Sequence, residues 1–216
     1  MTRLTFDITT SLDGYVAGPN ATVEQPLGEG GDRLQEWMVG LTAFRERHGL
    51  PADGPKTPDD VVVQESIDTV GAYIMGRRMF TGGEGAWDAD PVADGWWGDH
   101  PPFHVPVFVL THHERETVTK EGGTSFTFVT DGIKGALDRA RAAAGGKDVA
   151  VAGGASVAQQ YLRAGLLDEI QIHVAPVLLG GGVRLFGELG GAEPRLEIER
   201  VLHSPAVTHL RYRVVK

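Results

Sequence analysis

Apolar and polar positions alternate from residue 4 to residue 9, with Leu4, Phe6 and Ile8 separated by Thr5, Asp7 and Thr9. A period of two predicts a half-buried strand, ended by the turn pair Asp13-Gly14. Over 32–47 the period lengthens. Leu34, Trp37, Met38, Leu41 and Phe44 fall on one helical face, with Asp32 as the N-cap. A second cap signal, Thr57-Pro58-Asp59, opens a short helix that closes at Gly71. Apolar runs at 72–76, 107–111 and 125–130 read as strands, and 132–146 as an alanine-rich helix closed by glycine. Then come a strand in "KDVAVAGG", a helix in "ASVAQQYLRAG", and a strand within 166–179 that is broken near Pro176. The chain ends in two strands around Ser204-Pro205. Segments 49–58 and 81–106 read as loops, the second rich in Gly, Pro, Asp and Trp.

Strands that alternate with helices imply parallel pairs joined by right-handed crossovers. The apolar strand runs suit a sheet covered on both faces, and the terminal antiparallel hairpin makes that sheet mixed. No repeat, low-complexity tract or linker divides the sequence, so residues 1–216 are expected to form one α/β domain.

Composition narrows the function. Twenty basic against 29 acidic side chains give a formal charge of −9, which argues against nucleic acid or an anionic membrane as partner. No run approaches the roughly 18 apolar residues of a membrane helix. With no cysteine there is no thiol nucleophile and no Cys-ligated metal, and a cytoplasmic location is expected. His48, His100, His104, His203 and His209 show no metal-ligand spacing and read as structural or solvated, so no metal is expected.

Gly153-Gly154 stands where a buried strand turns into a helix. Glycines there serve either tight packing or the approach of a phosphate to free N–H groups at the helix start. Two other strand ends carry phosphate-friendly groups. Gly76 precedes Arg77 and Arg78, whose guanidinium groups can grip a phosphate bidentately. Residues 107–111 end in Thr111, followed by His112 and His113.

The series "SLDGYVAG", "YIMGRRMF", "VFVLTHHE", "VAGGASVAQQYL" and "GLLDEIQIHVAPVLLGGGVRLF" resembles the dihydrofolate reductase-like superfamily. Within it, the series is most similar to the reductase domain of bifunctional riboflavin-biosynthesis proteins. The resemblance runs in order over almost the whole chain. It implies a three-layer α/β fold with a mixed, mostly parallel sheet of about eight strands, and NADPH as hydride donor to a small heterocyclic or carbonyl substrate. Residue by residue, it assigns the dinucleotide to Gly76, Arg77, Arg78 and Met79, to Thr111 and His112, and to Gly153, Gly154, Ala155, Ser156 and Val157. In relatives the peptide between the two glycines is often cis. A first loop from Thr9 to Asn20 would cover the nicotinamide, with Ala17 as a backbone contact. Relatives are often homodimers, and residues 178–186 are a candidate contact.

The substrate side departs from that pattern. Asp7 stands where the riboflavin branch commonly has Lys, and Ala152 where it has a substrate-contacting Glu; no deaminase half is expected. His173 lies on a strand that neighbours residues 4–9 in the implied fold. Asp7 and His173 are therefore candidates for a proton relay, or alternatively a structural pair. Trp37 reads as core or as a wall of the substrate pocket. Trp96-Trp97 would stack on a flat substrate, pack between subunits or anchor the loop. Two other functions stay open: a protein that holds NADPH without turnover, and a divergent dihydrofolate or pyrimidine reductase.

Overall fold

A computed structural model describes residues 2–53, 56–83, 85–90, 92–187 and 189–216, so parts of the two expected loops lie outside the described residues. The strands are β1 Leu4–Ser11, β2 Tyr15–Ala17, β3 Val70–Gly76, β4 Pro106–Leu110, β5 Val118–Thr119, β6 Ser125–Val129, β7 Asp148–Gly153, β8 Glu169–Ala175, β9 Val183–Arg184, β10 Arg195–His203 and β11 Thr208–Val215. The α-helices are α1 Thr42–Arg47, α2 Pro58–Thr69, α3 Arg77–Thr81, α4 Gly132–Ala143 and α5 Ala155–Arg163. Nine strands form one sheet in the order β10-β11-β8-β1-β7-β3-β4-β6-β5. The pairs from β8 through β6 are parallel, while β10, β11 and β5 join antiparallel. The ninth strand, β5, is two residues long. β2 and β9 form a separate antiparallel pair.

The alternation in β1 sorts its side chains as expected. Leu4 and Phe6 enter a core with Ile74, Phe108, Val149 and Val151, covered by Ala136, Leu137 and Ala140 of α4 and Val157, Ala158 and Tyr161 of α5. Small alanines let the helices pack close, and burial of this face supplies the main drive to fold. The opposite face is divided. Over β3, β4 and β6 it carries an aromatic cluster that includes Phe80, Phe103 and Phe126. Over β1, β8 and β11 it carries polar groups, and α2 lies against them.

The helix expected over 32–47 does not form as one piece. A 3-10 turn spans Gly31–Leu34, and α1 begins only at Thr42. Bonds from Met38 N to Gln35 O and from Leu41 N to Met38 O keep the intervening turns tight, and Leu41 is extended (φ −69°, ψ 142°). Gly40 weakens the helix at that point. The apolar residues also have two destinations. Leu34 packs with Ala175 and Val177, whereas Trp37 and Leu41 pack with Val207. The residue flanking the turn is Gly30, in the left-handed region, and Asp32 lies inside it rather than capping it.

α2 starts where the cap signal places it. The Thr57 side chain accepts from Asp60 N and the Asp60 carboxylate accepts from Thr57 N, so the reciprocal partner is Asp60 and Asp59 is left for another role. Trp97 packs edge-on against Phe103 with 4.8 Å between centroids, which anchors the long loop to the aromatic cluster.

Candidate active site

The parallel pairing of β1 with β8 sets Thr9 beside His173 and Asp7 beside Gln171. The antiparallel pairing of β11 with β8 sets His209 beside His173 and Arg211 beside Gln171. Two polar rows therefore cross three strands on one face. Residues two apart on adjacent strands lie within reach of long side chains, and His173 Nε2 meets Asp7 Oδ1 at 2.6 Å. The structure thus brings together the two residues expected as a pair.

Asp7 is held on both oxygens. Its Oδ2 accepts from the Ser66 hydroxyl of α2 at 2.6 Å and from Gln171 Nε2 at 2.9 Å. Gln171 is oriented in turn, because its Oε1 accepts from Arg211 Nε at 2.8 Å. Desolvation disfavours the Asp7 charge, but His173, Ser66 and Gln171 outweigh it and bring the carboxyl down to about 2. The Asp7 side chain is 30% exposed and that of His173 6%, so Asp7 is the member of the pair nearer solvent.

The line of contacts continues inward. His173 Nδ1 lies 2.6 Å from His209 Nδ1, and His209 Nε2 lies 3.0 Å from Asp59 Oδ1. Trp37 closes over the two rings, with centroids 4.9 Å from His173 and 5.3 Å from His209, and its Nε1 donates to Thr9 Oγ1 at 3.2 Å. Thr9, assigned to the dinucleotide by resemblance, spends its hydroxyl on this tryptophan. His209 and Asp59 were not expected here. His209 has no ligand spacing in the sequence, and its place depends on the β11–β8 register. Asp59 looks like part of a cap.

Across β7, the strand ends assigned to the dinucleotide converge. A Cβ at Gly153 would lie 2.8 Å from Met79 Sδ, and one at Gly76 would lie 3.0 Å from Val157 Cγ2. Gly153 also has φ +145°, a conformation that favours glycine. The Gly153–Gly154 peptide is cis. A Cβ at Gly154 would meet nothing within 4 Å, and no side chain caps α5. The N–H groups of Val157 and Ala158 return to Gly154 O, while those of Ala155 and exposed Ser156 precede the first intrahelical partner. An open face without Cβ at an uncapped helix start fits a dinucleotide pyrophosphate.

Arg77 and Arg78 separate. The Arg77 guanidinium is buried, 3.5 Å over the Trp87 ring, with Nη2 on Asp90 Oδ2 at 2.6 Å and Nη1 on Thr81 Oγ1. Its guanidinium therefore faces Asp90 and Trp87 rather than the open start of α5. Arg78 is exposed. Thr111 is buried, and its Oγ1 accepts from His113 N at 3.1 Å, which closes the turn after β4; His112 is exposed. Ala17 pairs with Val183 of β9. The segment 178–186 thus packs against the first loop of its own chain.

Comparison with known proteins agrees with the fold. A structure of a putative riboflavin biosynthesis protein from Shewanella sp. PV-4 is similar over the full length of both chains, at 25% identity and a TM-score of 0.64. The bifunctional deaminase/reductase of Thermotoga maritima is similar at 13% identity and a TM-score of 0.55, over 99% of this chain but 57% of that one. An uncharacterized Bacillus subtilis protein, YyaP, is 23% identical over 194 residues, 85% of this chain and 80% of its own. The model of the RibD C-terminal domain matches residues 2–210, and the chain belongs to that family.

Proposed function

We propose that this chain is an NADPH-dependent reductase of a small heterocyclic or carbonyl compound. The Asp7–His173 contact of 2.6 Å, with Asp7 the less buried partner, carries this assignment. Reduction needs a proton source as well as a hydride, and an imidazole–carboxylate pair is suited to supply it.

Gly154, Ala155 and Ser156 would hold the pyrophosphate, with Met79 and Val157 as its floor and Arg78 on the 2′-phosphate. When bound, NADPH supplies the hydride. Asp7 holds the substrate-facing hydrogen bond and His173 sets its charge. Trp37 keeps water off the imidazoles. Asp7 in place of Lys, and Ala152 in place of Glu, point away from the phosphoribosyl pyrimidine of the riboflavin branch.

The test is a fluorescence titration of purified protein with NADPH and, separately, NADH, followed by turnover assays with pyrimidines, dihydrofolate and flavins. Binding of NADPH at least tenfold tighter than NADH, with oxidation of NADPH by one compound class, is the expected result. Binding of neither dinucleotide overturns the assignment. Binding without turnover across the panel favours a storage role.

A further inference from the structure

Four side chains from four elements form one line: Asp7 of β1, His173 of β8, His209 of β11 and Asp59 of α2. With both carboxylates ionised, counting hydrogens along it gives one answer. An ionised carboxylate only accepts, so Asp7 requires a proton on His173 Nε2 and Asp59 requires one on His209 Nε2. A neutral imidazole carries a single N–H. If both rings were neutral, both Nδ1 atoms would be bare, and two lone pairs would face each other at 2.6 Å. That separation is a hydrogen bond only if a third proton lies between them. These proton positions follow from the network of partners.

We infer that the His173–His209 pair holds one shared extra proton at neutral pH and is the proton store that Asp7 draws on. The line then carries two carboxylates and one imidazolium. His209 is buried, and that burial pushes its ring down against the pull of Asp59; His173 lies beside Asp7, the less buried of the two carboxylates. The surroundings are consistent with a single charge. Arg211 faces the same row but is engaged by Glu65, Glu169 and Gln171. Glu65 also takes Arg200. Asp60 is bound by Thr57 and Ala43 N, and Ser66, Thr9 and Trp37 are uncharged. Tyr73 on β3 contacts Arg47 of α1 at 3.2 Å.

The delivery step balances. The N–H bond at His173 Nε2 breaks as an O–H bond forms at Asp7 Oδ1, and that proton passes to the substrate. With a hydride from a reduced nicotinamide dinucleotide, the substrate gains two hydrogens across one double bond and the dinucleotide is left oxidised. His173 is left neutral, with its remaining proton on Nδ1 donated to His209 Nδ1. Its Nε2 is bare and faces Asp7, ready to be recharged from solvent through the partly buried carboxylate. Asp59 fixes the His209 tautomer that makes this acceptor available, so His209 and Asp59 are positioning residues. The destination of the proton rests on the reductase assignment; the proton count does not.

The first experiment is nitrogen-15 NMR of the histidine rings in ligand-free protein near pH 7. Three N–H protons over the four ring nitrogens of His173 and His209, with one strongly deshielded proton between Nδ1 atoms, is the expected result. Two protons in total, both rings neutral, overturns the proposal. The second uses variants and pH profiles. His209→Leu removes the acceptor and is expected to move the alkaline limb of kcat down by about one pH unit, roughly tenfold in rate above the limb, with KM little changed. His209→Gln offers an amide oxygen to His173 Nδ1 and is expected to restore most of the limb. Equal profiles for wild type and His209→Leu refute the role in delivery. A missing turnover with an intact three-proton signature would count against the reductase assignment alone.

Discussion

Replacing Arg77 with methionine separates a packing role from a phosphate-binding one. The wild-type guanidinium and the Asp90 carboxylate are 7% and 3% exposed and 2.6 Å apart. The substitution keeps the apolar stem but leaves Asp90 buried with two neutral donors, the Thr81 hydroxyl at 2.8 Å and Val92 N at 3.0 Å. Breaking a buried pair from one side costs about 3–5 kcal/mol, and the cation–π contact with Trp87 at 3.5 Å is lost as well. For a chain of this size each kcal/mol moves the melting midpoint by about 2–4 °C, so a fall on the order of 10 °C is expected. Urea denaturation measures the free energy directly. The double variant Arg77→Met/Asp90→Asn removes the stranded charge and is expected to recover much of the loss. If Arg77→Met costs less than about 1 kcal/mol, the worth of a surface ion pair, and instead weakens NADPH binding selectively, the inward assignment of Arg77 is wrong.

Arg78→Ala is expected to leave the melting midpoint nearly unchanged and to weaken NADPH by about tenfold while NADH changes little; parallel titrations decide it. Gly154→Ala adds a Cβ with no protein atom within 4 Å, so the fold is expected to persist while dinucleotide binding weakens, by calorimetry against thermal melts. Asp7 is held at about 2 in the fold, below the ordinary value of 3.8. A depressed pKa means its stabilisation is full above about pH 4 and is lost as pH falls toward 2. Asp7→Asn should flatten that part of a stability–pH curve, and an unchanged acid limb would count against the Asp7 contacts.

Much of the fold is legible in the sequence because strand alternation and caps are local. β1, α2, α4, α5 and the terminal hairpin fall near their expected bounds, and the glycine pair at the end of β7 announces the open helix start. The stretch 32–47 misleads because its apolar residues suit one helical stripe, yet Leu34 and Trp37 are claimed by different clusters. The inward contacts of Arg77 are not legible for another reason. Its partner Asp90 is 13 residues away in an irregular loop, and no periodicity links the two. Asp7 and His173 are reachable from the resemblance, because β1 and β8 are neighbours in the implied sheet. His209 and Asp59 are not, since their meeting depends on the exact register of β11 on β8 and on how α2 lies over the sheet.

The first loop is not an independent flap. The Asp13 carboxylate accepts from Leu179 N at 3.2 Å and Gly180 N at 2.7 Å, and Leu12 N donates to Val177 O at 2.8 Å. Any Cβ at Gly182 would lie 2.1 Å from Ala17 O. Residues 12–18 and 177–184 are therefore clasped into one mechanical unit. A change in the second segment, distant in sequence from the first loop, is transmitted to it without passing through the sheet. Loop-length variation in one segment is tolerated only if the other changes with it, so the two are expected to vary as a matched pair.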